Sequence, residues 1–299
     1  MPEYQQNQGK PERLLAGYGS VRSAELKTIY EGIDEGTPIS QIEERYGRPQ
    51  ESGYETDHID QCLRFLRTLD MIEETDDESL NPLNQDLFSN FDLSFESRLL
   101  YHIRKQSGRQ YHLAEIHEVA VEKLGDEGHY GTRRVSVEDL VTESRRNTEY
   151  DFKWREEKIE MWANLLAPVG AVSYVTSRDE IFISPSRALL HELLALHQQH
   201  RDDGDSLLAA LKWIHSEFLP VFSRTGGDPA VHVGVADTFE SMVEDNLLTL
   251  TGMSDRTETV DLPDSIDNTR TPADYTIDDS PDRPSYWYPL ERNERRLKA

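Results

Sequence analysis

Hydrophobic positions in the first third of the chain recur at helical spacing and predict three short helices. Two apolar stripes between residues 23 and 46 indicate a helix, a break near residue 37 and a second helix. A third stripe, from about Thr56 to Leu69, includes the single cysteine, Cys62, which we interpret as a core residue. A short apolar stretch, a polar turn and Leu80 follow, so the predicted order is three helices and then two strands.

A similar order is predicted for residues 93–185. Two apolar helical stripes come first, followed by a polar insertion around residues 128–134, a short helix and a long amphipathic helix. Two alternating stretches, 170–175 and 181–183, flank a polar turn and give the clearest hairpin in the sequence, because alternation and turn chemistry agree.

The remainder of the chain carries a weaker version of the same pattern. Three helical stripes lead to Leu247–Leu250, and residues 258–262 are predicted to complete a third hairpin. Residues 263–285 are rich in Asp, Pro, Ser and Thr with almost nothing apolar, which predicts disorder. Two interpretations remain open: three related modules, or an irregular helical bundle with two hairpins. In both, the fold class is mainly α with short β-hairpins (α+β).

The pattern also predicts domain boundaries within a length that allows two or three domains. They are a flexible arm (1–19), a first module (20–92), a second (93–185), a third helical module (186–263) and an acidic linker with an aromatic and basic tail (264–299).

The first module resembles the winged helix-turn-helix superfamily. Its stretch Leu66-Arg67-Thr68-Leu69-Asp70-Met71-Ile72-Glu73 is similar to the junction of recognition helix and wing in that family. The resemblance implies tandem winged-helix modules, whose third helix enters the major groove of DNA while the wing contacts the backbone or minor groove. Asp57 and Asp60 depart from the family, because they lie where donors to DNA are normally presented. Winged helices of this kind also serve as protein–protein modules.

The charge of the chain is evidence about the environment of the protein more than about its function. The 57 acidic residues outnumber 32 basic ones, of which only eight are lysines, and the net charge is -25. Dispersed carboxylates with little lysine are typical of proteins of halophilic archaea; an ordinary acidic cytosolic protein is the alternative. Molar salt screens the self-repulsion of such a surface. Because salt also weakens phosphate contacts, a DNA binder there needs local arginines and shape rather than a broad basic patch.

The second module is the least acidic part of the chain and carries the predicted DNA contacts. Arginine forks bind phosphate or guanine in a bidentate manner. The alternative is that these residues pair with neighbouring carboxylates, such as Glu143 and Glu156, on a solvated face. The predicted DNA-binding residues are Arg104, Lys105, Arg109, Arg133, Arg134, Arg145, Arg146, Lys153, Arg155 and Arg178.

An aromatic cluster near the end of the sequence is predicted to bind a partner. It consists of Tyr286, Trp287, Tyr288 and Leu290, and four basic residues follow it. Docking of this cluster onto the chain's own core is the alternative.

Motifs of enzymes are missing from the sequence. It has neither a phosphate-binding loop nor a dinucleotide-binding glycine motif. His197 and His200 are three residues apart on one helix, but solvent-facing histidines at a helix end are more common than metal ligands. We therefore predict no catalytic residue, cofactor or metal.

The functional prediction is a non-enzymatic, cytoplasmic DNA-binding protein. We expect no signal peptide and no membrane helix, because neither an apolar leader nor a run of about 20 apolar residues is present. Double-stranded DNA is the predicted ligand, and the protein would act as a regulator or as a subunit of a DNA-processing, segregation or defence complex. The alternative is a winged-helix adaptor for a larger ATPase or nuclease. Protein partners are expected in either case, and a homodimer is left open.

Overall fold

Short helices joined to small antiparallel sheets form the described part of the chain, which confirms the mixed α+β class. The predicted arm at 1–19 and the aromatic cluster at 286–290 lie outside the described residues. In this computed structural model the described residues are 21–51, 53–83, 93–107, 110–124, 130–148, 153–200, 206–224, 229–252, 259–263 and 271–277.

The first unit contains three helices and a three-stranded sheet, with Leu26, Ile42 and Leu66 among its buried residues. The sheet order is β1-β5-β4, and all neighbours are antiparallel. A hairpin, β2–β3, stands where the sequence pattern shows only a polar stretch. The elements are α1 (Ser23–Tyr30), β1 (Thr37–Pro38), α2 (Ile39–Tyr46), β2 (Arg48–Gln50), β3 (Gly53–Glu55), α3 (Asp57–Thr68), β4 (Ile72–Glu74) and β5 (Ser79–Pro82).

The second unit repeats this connection with the sheet order β6-β8-β7. In both units the last strand is central, between the strand that precedes the last two helices and the strand that follows the last helix. The predicted hairpin is confirmed as β7–β8. The elements are α4 (Phe95–Lys105), α5 (His112–Glu118) continued by a π-helical turn (Val119–Lys123), β6 (Arg134–Ser136), α6 (Val137–Asn147), α7 (Glu156–Val169), β7 (Ser173–Val175) and β8 (Glu180–Phe182).

The third segment contains the three predicted helices, but its hairpin differs from the prediction. Within residues 258–262, Asp261 bridges Ala230 and does not pair with the strand after α10. That strand, β11, pairs instead with β12, which lies in the stretch predicted to be disordered. The elements are α8 (Arg187–His200), α9 (Leu207–Glu217), β9 (Phe222–Arg224), β10 (Ala230–Val231), α10 (Val233–Glu244), β11 (Leu248–Thr251) and β12 (Asp274–Ile277).

The prediction of disorder is therefore wrong for residues 271–277. Tyr275 is fully buried, and its hydroxyl donates to the carbonyl oxygen of Leu194 at 3.0 Å and lies 3.0 Å from Nδ1 of His197. His197 is buried too, so its interpretation as a solvent-facing histidine is also wrong. These contacts fasten β12 to α8.

Replacing Tyr275 by phenylalanine tests this anchor. We expect Tyr275→Phe to lower the free energy of unfolding by ~1–3 kcal/mol, because it leaves the buried carbonyl of Leu194 without this donor. Denaturant unfolding at constant high salt measures the loss. Thr276→Ala, at the exposed neighbouring position, is the control and should change stability little. Equal effects of the two substitutions would contradict the proposed anchor.

The third segment packs tightly on the second unit at the first turn of α10. A Cβ atom placed on Gly234 would overlap the carbonyl oxygen of Ile183 and lie 2.8 Å from its carbonyl carbon. The Ser184 hydroxyl donates to the carbonyl oxygen of Gly234 at 3.1 Å, and the Thr238 hydroxyl donates to that of Pro185 at 2.8 Å. The backbone of the first turn of α10 therefore lies directly against the backbone of residues 183–185.

The described residues share one hydrophobic core that runs through both units and the third segment. α1 packs against α7, and Lys27 on α1 forms an ion pair with Glu96 on α4 at 2.9 Å. Cys62 belongs to this core, as predicted, and burial raises the pKa of its thiol to about 12. Among the described residues, no helix has the length and apolarity needed to cross a bilayer.

Candidate nucleic-acid interface

The segment that leads into α7 and the turn between β7 and β8 expose three basic side chains of the second unit. Lys153 and Arg155 immediately precede α7, and Arg178 lies in the β7–β8 turn. The next residue, Asp179, has a φ of 52°, the left-handed conformation that lets the turn reverse. The opposite face of α7 is fixed in the core, where Nε1 of Trp162 donates to the carbonyl oxygen of Leu113 at 3.0 Å.

Together with Arg145, which donates to a backbone carbonyl instead, these three residues differ from the other described DNA-contact candidates in their ion pairing. Within the part of the chain that the structure describes, no salt bridge involves Lys153, Arg155 or Arg178. Their charges are therefore not neutralised by a described carboxylate. They remain available to an anionic ligand such as phosphate.

Four of the predicted contacts are paired with carboxylates, but only Arg146 pairs with a neighbouring carboxylate of the kind that the alternative hypothesis names. Surface pairs of this kind contribute about 0–1 kcal/mol each, so they weaken a contact to phosphate without abolishing it. The pairs are Lys105–Glu217 at 2.6 Å, Arg133–Asp237 at 2.6 Å, Arg134–Glu180 at 3.4 Å and Arg146–Glu143 at 2.6 Å.

The pair between Arg133 and Asp237 joins two parts of the fold. Both carboxylate oxygens of Asp237, on α10, accept from the Arg133 guanidinium, at 2.6 and 3.0 Å. The hydrogen bonds to Asp237 raise the pKa of Arg133. Arg133 thus holds the third segment against the second unit, a role that its charge alone does not indicate.

The side chain of Arg104 is enclosed within the protein rather than exposed at its surface. Only 9% of its side chain is exposed, and its Nη1 atom donates to the Tyr111 hydroxyl at 2.8 Å and to Glu118 at 2.5 Å. This enclosure argues against the predicted contact of Arg104 with DNA, because its guanidinium is already satisfied inside the protein. Burial and the hydrogen bond to Glu118 in turn raise the pKa of Tyr111.

Arg145 has a structural contact as well, although its side chain is exposed. It donates to the carbonyl oxygen of Trp154 at 2.9 and 3.3 Å, which fixes the segment leading into α7. The side chain therefore positions Lys153 and Arg155 on either side of that carbonyl. Arg109 lies outside the described residues.

Two buried histidines, His117 and His232, and the half-buried His215 form a cluster that the sequence pattern does not reveal. Burial lowers the pKa of His117 to about 3 and the pKa values of His215 and His232 to about 4. Each of the latter two supports backbone: Nδ1 of His215 accepts from Val221 N–H at 3.2 Å, and Nδ1 of His232 accepts from Gly234 N–H at 3.1 Å. Neutral imidazoles are required for both contacts, since a protonated Nδ1 cannot accept.

The histidine cluster does not form a metal centre in the described structure. In the described ranges, no three or more His, Cys, Asp or Glu side chains are arranged to hold a metal ion.

The equivalent surface of the first unit is acidic. Asp57 and Asp60 are exposed in the first turn of α3, and the β4–β5 turn exposes Asp76, Asp77 and Glu78. The hydrogen bond from the Thr75 hydroxyl lowers the pKa of Asp77, so that carboxylate stays charged to lower pH than usual. Helix and turn of this unit would repel phosphate.

Comparisons with known proteins leave the geometry as the guide to function. No family model matches the sequence, and searches of curated proteins and of solved structures found no match. The contrast between the two units is therefore the information from which a function can be inferred.

Proposed function

We propose that the chain is a non-enzymatic tandem winged-helix protein whose second unit binds double-stranded DNA. The shared strand connection of β1-β5-β4 and β6-β8-β7 supports the winged-helix assignment, with α7 as recognition helix and β7–β8 as wing. The observation that carries the proposal is that Lys153 and Arg155, directly before α7, and Arg178, in the β7–β8 turn, are exposed and form no ion pair with a described carboxylate.

The proposed DNA contact would be made mainly by residues directly before α7 and by the wing, rather than by residues along the helix. Glu156 and Glu157 occupy the first turn of the helix and disfavour a phosphate at its N-terminus. Lys153 and Arg155 precede that turn, and Arg178 is carried by the wing. Few phosphate contacts imply a weak dependence of affinity on salt, which suits the highly acidic, lysine-poor composition.

Substitution of the three exposed residues tests this interface. We expect the combined variant Lys153→Gln, Arg155→Gln, Arg178→Gln to reduce duplex affinity by roughly ten-fold or more, because each removes a charge-assisted contact. The slope of log affinity against log salt should become shallower by about 3 if three phosphate contacts are lost. Fluorescence anisotropy of a labelled duplex, across a series of KCl concentrations, measures both quantities.

The matched control replaces one lysine and two arginines that are already paired. Lys105→Gln, Arg134→Gln and Arg146→Gln remove the same charge but should change the affinity much less. The assignment fails if the two triple variants lose affinity equally. It also fails if the unaltered chain does not bind duplex DNA at any salt concentration at which it is folded.

The acidic surface of the first unit supports the adaptor function as a second candidate. Its α3 and β4–β5 turn present carboxylates where a winged helix would meet DNA, and this surface suits a basic protein partner. An adaptor would show no duplex binding in the salt series above. Its predicted partner-binding residues, Tyr286, Trp287, Tyr288 and Leu290, lie outside the described residues.

A further inference from the structure

The hairpin between α2 and α3 adds little to the core. Its cross-strand pairs are Arg48–Glu55, Pro49–Tyr54 and Gln50–Gly53, and five of these six residues are exposed. A two-stranded hairpin is marginally stable by itself in water. We therefore expect this hairpin to contact something other than the described residues.

Pro49 and Tyr54 form the apolar surface of this hairpin. They are directly opposite each other, so their side chains share one face. Tyr54 is 52% exposed, and no other large hydrophobic side chain among the described residues is exposed. Its Cβ packs closely over Gly47, where an added Cβ would lie only 2.7 Å away, so the hairpin is held against the end of α2.

The charges around the hairpin select for a cationic ligand. Arg48, the basic residue of the hairpin, is already paired with Glu25 at 3.0 Å and lies 3.6 Å from Glu55. Uncompensated carboxylates therefore outnumber cations beside Tyr54, and a nucleic acid would be repelled. The acidic residues of this stretch are Glu43, Glu44, Glu51, Glu55, Asp57 and Asp60, against Arg45 and Arg48.

We propose that the Pro49–Tyr54 face binds residues 286–299 of the same chain. That segment combines the two properties that the face requires. Its aromatic residues provide partners for proline and tyrosine rings, and its arginines match the carboxylates and can stack on Tyr54. The aromatic residues are Tyr286, Trp287 and Tyr288, and the basic residues are Arg292, Arg295, Arg296 and Lys298.

This proposal concerns the first unit and is independent of DNA binding by the second. It assigns the aromatic cluster to its own chain rather than to a separate partner. A partner that competes for the hairpin would therefore have to displace this segment, which makes the contact a means of regulating access to the first unit.

Photo-crosslinking in the full-length chain tests the contact. A benzophenone amino acid is placed at Tyr54, equal amounts of isotopically light and heavy chain are mixed, and the cross-linked peptides are identified by mass spectrometry. We expect cross-links to residues 286–299 that join light to light and heavy to heavy. The same amino acid at Tyr174, a half-buried position on β7, is the control and should not give these cross-links.

A second variant tests the charge requirement. Replacing Arg292, Arg295, Arg296 and Lys298 by glutamine should reduce the yield of the cross-link roughly five-fold, as the loss of exposed cation contacts implies. Cross-links from position 54 to other regions, light-to-heavy cross-links, or no cross-links would each overturn the proposal. A yield that the glutamine substitutions leave unchanged would overturn its electrostatic basis. None of these outcomes depends on whether the chain binds DNA.

Discussion

Gly234→Ala is expected to destabilise the chain by about 3 kcal/mol or more, although alanine is normally the better helix former. The new methyl group would overlap the carbonyl oxygen of Ile183, and the Ser184 backbone lies 3.3 Å away. Because these neighbours are backbone atoms of the second unit, they cannot move aside as a flexible side chain could. The expected response is separation or shifting of α10 from the end of β8. Denaturant unfolding of the full chain at constant high salt measures the loss.

Gly252→Ala is the matched control for this substitution. At that position the nearest atom to an added Cβ is the Thr271 oxygen at 4.0 Å, and the backbone is not in the left-handed region. Alanine should be tolerated there or slightly stabilising, since it restricts the unfolded chain. If Gly234→Ala leaves the unfolding midpoint as high as Gly252→Ala does, the close approach of α10 to Ile183 is not a constraint in solution.

Mild acid should destabilise the fold through the histidine cluster of His117, His215 and His232. Their folded-state pKa values, about 3 for His117 and about 4 for His215 and His232, lie below the usual value of 6.5. At pH values between the folded-state pKa of each histidine and its usual pKa, the unfolded chain therefore binds more protons than the folded chain. The stabilisation is complete above the unfolded pKa and is lost as pH falls toward the folded pKa. From about pH 7 to about pH 5 the expected loss is about 2 kcal/mol for each histidine.

His232→Asn isolates one of these contributions. Asparagine can still accept from Gly234 N–H at the start of α10, but it does not titrate. The decrease in unfolding free energy between about pH 7 and about pH 5 should therefore be smaller by about 2 kcal/mol. Burial raises the pKa of Glu122 and so acts in the opposite direction, but it does so equally in both chains. An unchanged pH dependence in the variant would show that His232 does not titrate with the depressed pKa.

Hydrophobic periodicity predicts the helices well because the buried faces dominate their sequence. The stripe that contains Cys62 becomes α3, and the stripe that contains Trp162 becomes α7. Three strand pairs that the sequence pattern does not predict, β2–β3, β9–β10 and β11–β12, lack this signal. β2–β3 buries little, so its sequence has no alternation to detect. β12 is four residues long, and its two buried apolar residues, Tyr275 and Ile277, are too few to stand out.

Charge along the sequence predicts site residues less well because it does not reveal partners distant in sequence. Arg133 is paired with Asp237, 104 residues away. Arg104 and Arg155 look alike as isolated arginines, yet Arg104 is enclosed by Tyr111 and Glu118 while Arg155 is exposed. The histidine cluster is similarly hidden, since its members come from α5, α9 and the start of α10.

The pairing of β11 with β12 has a consequence for the order of folding during synthesis. The first unit can close its sheet once Pro82 has left the ribosome, and the second once Phe182 has. β11 must wait until Ile277 emerges, and the amide of Leu207 waits for the carbonyl of Ala273. During that interval the face of α8 that receives Tyr275 is uncovered. The nascent chain is therefore most open to chaperones, or to misassociation with another copy, until residue 277 has emerged from the ribosome.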